Sequence, residues 1–373
     1  MTDADPPATD RGDGRAWTDT DPDWVVPPAV EPGDHVAVLS PASNLRAFPY
    51  VHELGLERLR SFGVEPVEYP TATADSEYLY DNPERRAEEI ERAFRDSDIA
   101  AVVTTIGGND QVRVLDHLDA AVLRDSPTRF FGFSDNTNLA LYLWNLGIVS
   151  FYGGSLLTEF GQRGAMFEYT REHLRRALFD ADGLVGDLRP AEQFTDEPSR
   201  WAEGPEVLAE PRDTEPNPGW RFENGEEPAA GRLWGGCWET IDSWFLRAEY
   251  LPSEQRLAGT VLALETSEEL PHPGLVAGQL RALGERGTLS LFDAVLVGRA
   301  VTRSHEREPP AEERERYRER QREAIASVFR EYNPDAPVVF DLEFGHTYPT
   351  LPLPVGARVR IEPETERIAV EGV

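Results

Sequence analysis

Among 373 residues, 68 acids stand against 37 bases, a formal charge of −31, and every base is an arginine. A surface this acidic repels phosphate backbones and anionic membranes, so nucleic acid and lipid are excluded as partners. No apolar run approaches the ~20 residues of a bilayer span, and the opening MTDADPPATDRGDGRAW has neither the basic start nor the apolar core of a secretory signal. The single cysteine, Cys237, leaves no internal disulfide framework and no cysteine-based zinc site. The expectation is a soluble cytoplasmic protein. Such a charge repels itself in a compact body unless salt screens it, so the lysine-free composition fits a salt-adapted, halophilic cytoplasm; an acidic product of a GC-rich gene is the other reading.

Residues 1–30 are rich in Asp, Pro, Thr and Gly and read as a disordered acidic tail, with order beginning at the Pro32-Gly33-Asp34 turn. His35–Ser40 is a short apolar run of buried-strand type. Leu54–Phe62 has helical spacing, and Val64–Tyr69 is a second strand. Asp81 or Asn82 can cap the helix that Pro83 opens, with Ala87, Ile90, Ala93 and Phe94 as its apolar stripe. Ile99–Ile106 is a continuous apolar strand ending at Gly107-Gly108. Val112–Leu118 reads as a short helix, Arg129–Phe133 as a strand, and Asp135–Asn145 as a helix with an Asp/Asn-rich start. Alternating strands and helices predict an α/β fold with a parallel sheet covered on both faces. Residues 31–186 form the expected N-terminal domain. Residues 187–230 break the pattern as a linker or insertion carrying Phe194, Trp201 and Trp220. Residues 231–373 form a second domain, with strands at 259–265, 292–298, 337–341 and 357–361 and helices at about 273–284 and 308–332.

In open α/β sheets ligands gather at the carboxyl ends of strands, and two such ends stand out. Gly107-Gly108-Asn109-Asp110 can turn tightly and present backbone N–H groups to an anion. Ser134, at the tip of a strand and the start of a helix, has the placement of a nucleophile elbow, or simply of a helix cap. A nucleophilic serine needs a base. His35 opens a strand at the wrong end; His52, His117 and His173 read as surface residues on helices; His305 sits in a charged run. His272 and His346 remain, and His346 follows a buried strand directly. Glu265, ending a strand, is the natural carboxylate to orient the base, with Glu268 and Glu269 as competitors.

These residues resemble the LD-carboxypeptidase family of serine peptidases, in its microcin-immunity branch, from about Pro32 to Ile361. The carriers are Val36–Ser43 after Gly33-Asp34, Pro83–Phe94, Ile106–Asp110, Gly132–Asp135, Tyr152-Gly-Gly, Gly231–Gly236, Leu264-Glu265 and Gly345-His346-Thr347. The resemblance implies a flavodoxin-like N-terminal domain, a smaller mixed α/β domain, a site between them, and a homodimer. It also implies a triad of Ser134 as nucleophile, Glu265 as orienting carboxylate and His346 as base. The implied oxyanion hole is the backbone N–H groups of Gly108 and Asp135, with Gly107 and Asn109 beside the substrate. The spacing from Glu265 to His346 is long for the family, and the charged stretch Arg303–Arg322 is expected to hold the excess as a surface insertion. In that branch an aromatic of the 187–230 region stacks on a nucleotide-like part of the substrate; Trp201 is the candidate, and both tryptophans pinning the loop is the other reading.

The function expected is hydrolysis of an amide bond near a free carboxylate in a small peptide-like substrate, with no metal and no organic cofactor. A non-catalytic small-molecule binding module on the same fold is the alternative, and a metal-dependent hydrolase is disfavoured because no histidine pair has ligand spacing.

Overall fold

Strands β1 (His35–Leu39), β2 (Glu65–Glu68), β3 (Ile99–Thr104), β4 (Arg129–Gly132) and β5 (Ser150–Tyr152) are parallel and lie in the order β2-β1-β3-β4-β5. This is the flavodoxin-like order that the resemblance implies. The computed structural model describes residues 21–44 and 46–373. β3 and β4 are buried on both faces, which is why they read as unbroken apolar runs rather than alternating ones.

Further along come β6 (Gly186–Asp187), the short pair β7 (Gln193–Phe194) and β8 (Glu215–Pro216), and β9 (Arg221–Asn224). They are followed by β10 (Ala229–Cys237), β11 (Thr260–Glu265), β12 (Phe292–Gly298), β13 (Pro337–Leu342), β14 (Leu353–Val355), β15 (Arg358–Glu362) and β16 (Arg367–Gly372). The second sheet runs β6-β16-β15-β10-β11-β12-β13-β9, with β10 to β13 parallel and the flanking strands antiparallel.

The two sheets are knitted across the expected segment borders. β6 and β9, from before residue 231, close the two edges of the second sheet, while β14 adds antiparallel to β5 at the edge of the first. Each addition covers a strand edge that would otherwise present unpaired backbone groups. The helix Thr137–Asn145 is buried at every residue because it lies between the sheets, packed on β4, β5 and β14 of one and on β10 of the other. Its all-round apolar character is the signature of such a position.

Some local expectations change. Residues 1–20 of the expected tail lie outside the described residues, but 21–30 are built in. Val25 bridges to Ile148, Trp24 packs edge-on against Trp144 with centroids 5.3 Å apart, and the buried Arg129 guanidinium donates to the carbonyls of Pro27 and Pro28. An aromatic and a satisfied guanidinium are enough to fix a segment whose composition reads as disordered. Pro83 does open the helix Pro83–Arg95, yet no side chain caps it, because Asp81 ends the preceding helix Ser76–Asp81. Residues 112–118 form no α-helix; two 3₁₀ turns, Gln111–Arg113 and Leu115–His117, stand there.

Candidate active site

Ser134 follows β4 directly and has φ of +59°, a left-handed conformation rare for a side-chain-bearing residue. The strain is held from several sides. Thr137 Oγ1 donates to the Ser134 carbonyl at 2.7 Å, and the Ser134 N–H donates to the Tyr152 hydroxyl at 3.0 Å. A strained turn between strand and helix, lifting Oγ above the sheet, is the elbow geometry rather than an ordinary cap; no side-chain capping bond is made there.

The Gly-Gly turn after β3 lies against this elbow. A Cβ placed on Gly107 would sit 2.7 Å from Ser134 Cβ and 3.0 Å from its Oγ, so only glycine leaves the nucleophile room. The Asp135 carboxylate ties the turn to the elbow by accepting from the Asp110 and Gln111 N–H groups, both at 2.9 Å. Burial raises its pKa to about 6, against the opposing pull of those two backbone N–H groups. The fully buried Arg86 completes the brace: it grips Asp110 with two 2.9 Å bonds and donates to the Pro41 and Ala42 carbonyls.

From the second sheet come the two candidate partners of Ser134, Glu265 and His346. β11 ends at Glu265, and His346 lies four residues beyond β13, so both strands deliver their carboxyl ends to the same place. His346 Nε2 lies 3.2 Å from Ser134 Oγ, and its Nδ1 lies 2.8 Å from Glu265 Oε2. Glu265 Oε1 accepts from the Tyr152 hydroxyl at 2.6 Å, which closes a ring of contacts back to the Ser134 N–H. Gly345 permits this approach: with φ of +95°, a Cβ there would lie 2.5 Å from Glu265 Oε2. Burial, the largest influence on Tyr152, and then the Glu265 charge hold its hydroxyl protonated, well above the usual phenol range.

Glu268 is a further neighbour. Its Oε2 lies 2.9 Å from His346 Nε2, the same nitrogen that faces Ser134. Burial disfavours charge on the imidazole, but Glu265 and Glu268 together outweigh it and raise the His346 pKa well above its ordinary value. The reciprocal attraction of His346 lowers the Glu268 carboxyl to about 2.

The sequence matches the LD-carboxypeptidase N-terminal domain over residues 36–153 and the LD-carboxypeptidase C-terminal domain over residues 230–361. The chain belongs to the LD-carboxypeptidase family. By class it is thus a serine peptidase or amide hydrolase. It is 26% identical to a putative carboxypeptidase of Vibrio cholerae, over 92% of this chain and 96% of that protein. It is 24% identical to the microcin C7 self-immunity protein MccF of Escherichia coli, over 85% and 86%. An MccF-like protein from Streptococcus pneumoniae, solved in complex with AMP, superposes with a TM-score of 0.80 at 26% identity, covering 91% of this chain and 98% of that one.

In this LD-carboxypeptidase-family chain Ser134 and His346 open into a cavity of about 280 Å³. Gly107, Gly108, Ser134, His346 and Trp201 line it. Asn109 does not: it is exposed beyond the turn, because the next residue, Asp110, is drawn back by Arg86. The two tryptophans part company. Trp220 pins its loop, donating from Nε1 to Glu343 at 2.8 Å. Trp201 lines the cavity, its carbonyl held by the Tyr50 hydroxyl.

The remaining histidines resolve by contact. His272 accepts from the Gly274 N–H as the cap of the helix Pro273–Glu285, so it is no alternative base. His52 and His173 are buried rather than superficial, bonded to Glu68 and to the Tyr169 carbonyl, while His117 is exposed as expected. His305 belongs to the cavity wall, its ring centroid 6.0 Å from that of Trp201.

The Arg303–Arg322 stretch is a surface run only in part: most of it is exposed, but Arg303, Arg318, Gln321 and Arg322 are buried. β7 and the loop after it present Phe194 and Asp196 to Arg303 and Arg318, while Arg322 pairs with Asp341 and Gln321 donates to the Pro271 carbonyl. Asp196 accepts from Arg303 Nε at 2.8 Å and from the Thr302 N–H at 2.9 Å, which locks the 187–230 segment to this stretch. Composition hid this, because a buried charge network and a solvated charged face use the same residues.

Proposed function

We propose that the protein is a serine amide hydrolase of carboxypeptidase type that works through Ser134, His346 and Glu265. The observation that carries the reading is the line of contacts from Ser134 Oγ to His346 Nε2 at 3.2 Å and from Nδ1 to Glu265 at 2.8 Å. His346 takes the hydroxyl proton as Ser134 Oγ attacks the scissile carbonyl carbon. The carbonyl oxygen becomes an oxyanion, received by the backbone N–H groups of Gly108 and Asp135, the second aided by the helix start it occupies. The Ser134 N–H is already engaged by Tyr152 and is not part of this hole. The histidinium then protonates the leaving nitrogen, the C–N bond breaks, and water repeats the sequence on the acyl-enzyme. Glu265 keeps the imidazole in the productive orientation and stabilises its cation, and Tyr152 in turn holds Glu265.

The substrate we infer is a small peptide-like molecule or an aminoacyl nucleotide. Trp201 in the cavity wall supports the second form, as does the likeness to an MccF-like protein solved with AMP. Stacking on Trp201 would supply about 1–3 kcal/mol. We place the working protein in the cytoplasm as a homodimer; sedimentation of the purified chain checks the second part.

A fluorophosphonate probe tests the mechanism. The wild-type protein labels at Ser134, while Ser134→Ala, His346→Ala and Glu265→Ala do not label at a comparable rate. The single variants lose about 10⁴–10⁶ in kcat/KM, and the Ser134→Ala/His346→Ala double variant loses little more, because triad members act as a unit. Labelling undiminished in His346→Ala would remove His346 as the base.

A further inference from the structure

We infer that Arg303 is the anion clamp of the substrate site: its guanidinium receives a carboxylate or phosphate oxygen of the bound molecule. This rests on the hydrolase reading for its biological sense, but not for its test. Arg303 is the one arginine that lines the cavity among the described residues, and the chain contains no lysine. The cavity therefore has a single permanently cationic side chain.

Its placement is fixed rather than adventitious. Nε donates to Asp196 at 2.8 Å and Nη1 reaches Glu308 at 3.4 Å, which aims the planar group. Asp196 is immobilised in turn by the Thr302 N–H and by Arg314 at 3.4 Å. Among the described residues Nη2 has no protein partner, and it is not among the buried unpartnered atoms, so it keeps some exposure on a side chain that lines the cavity. A guanidinium fixed through Nε and Nη1, with the donors of Nη2 left over, is preorganised for a planar or tetrahedral oxyanion.

Of the acids that line the cavity, Asp196 holds Arg303 at Nε, and the other two have partners of their own. Glu268 is engaged by His346, and Glu197 by the buried Arg163. In a protein with 68 acids and 37 bases, a guanidinium with unfilled donors inside a cleft is a rare commodity.

The test uses the full-length Ser134→Ala protein, which binds without turnover. Calorimetry gives Kd for two matched pairs: AMP against adenosine, and an N-acyl dipeptide against its C-terminal carboxamide. The parent is expected to favour the anionic member of at least one pair by about 10- to 100-fold, the range of one hydrogen bond to a charged group. Arg303→Gln should erase that preference and leave the neutral member unchanged. The pair that collapses identifies the anion as phosphate or carboxylate. Arg303→Lys, which keeps a cation able to reach Asp196, should restore part of the preference. No preference in the parent overturns the inference, and so does a preference that survives Arg303→Gln. Equal loss of both members, in Arg303→Gln and Arg303→Lys alike, also overturns it and leaves Arg303 as a brace for Asp196. Failure of the hydrolase reading would appear in the fluorophosphonate experiment and not here.

Discussion

The inner and outer walls of the cavity are built on different principles. The inner wall is two strand ends of the first sheet, the Gly107-Gly108 turn and the Ser134 elbow, joined by backbone contacts and braced by Asp135 and Arg86. The outer wall is two stretches of irregular chain, around Trp201 and around Arg303 to His305, joined through the Asp196 charge network. The first places reacting atoms with strand-end precision. The second places the side chains proposed to choose the substrate, on irregular chain that can vary while the strand ends stay put. What the contrast teaches is that damage should sort by wall: kcat effects inside, KM effects outside.

The largest departure should come from Gly107→Ala. Its new Cβ would crowd Ser134 Cβ at 2.7 Å and displace the elbow from the oxyanion donors. Turnover should fall about 10²–10³-fold, the cost of losing one such donor, with KM little changed. A kcat close to wild type would mean that the inner wall is softer than its contacts imply.

Trp201→Ala should do the reverse. Affinity for AMP should weaken by about 1–3 kcal/mol while kcat on a simple peptide stays near wild type. Equal losses on both ligands, with a lower melting temperature, would assign Trp201 to pinning the loop instead.

Glu268→Gln probes the junction of the walls. In the proposed mechanism His346 must be neutral, and the two carboxylates, acting against burial, raise its pKa well above 6.5, so the acidic limb of the kcat/KM profile should lie above that value. Removing one carboxylate lowers the His346 pKa, so the limb should move toward lower pH, with activity gained on its acidic side. A limb that does not move would show that Glu268 is not felt by the base in solution.

The smallest and most general effect is that of salt. With acids in such excess, repulsion in the folded state is relieved as the Debye length falls from ~10 Å at 0.1 M to ~3 Å at 1 M. The melting temperature should rise across a potassium chloride series. Because Asp196 is buried, its pairs should survive that screening, so AMP affinity should decline less than expected for exposed charges. A melting temperature that stays flat or falls removes the halophilic reading.

Much of the inner wall was legible in the chain. Unbroken apolar runs ending in Gly-Gly and in Ser134 mark candidate strands with polar or glycine-rich ends, since hydrophobic period and turn chemistry are local properties. His346 was reachable the same way, as the histidine directly behind a buried strand. The outer wall was not. His305 looked like part of a solvated run, Asn109 looked like part of the site because its neighbours were, and 21–30 looked disordered. Each error has one physical cause: the deciding contact lies far off in sequence, His305 with Trp201, Asp110 with Arg86, Trp24 with Trp144. The sequence by itself determined where the strands run, which strand ends carry Gly-Gly and Ser134, and the reactive residue types, because periodicity and backbone sterics act over a few residues. Only the tertiary structure decided which charges are buried, which tryptophan faces the cleft and which carboxylates meet His346, because burial and Coulomb energy depend on neighbours that the chain brings together only on folding.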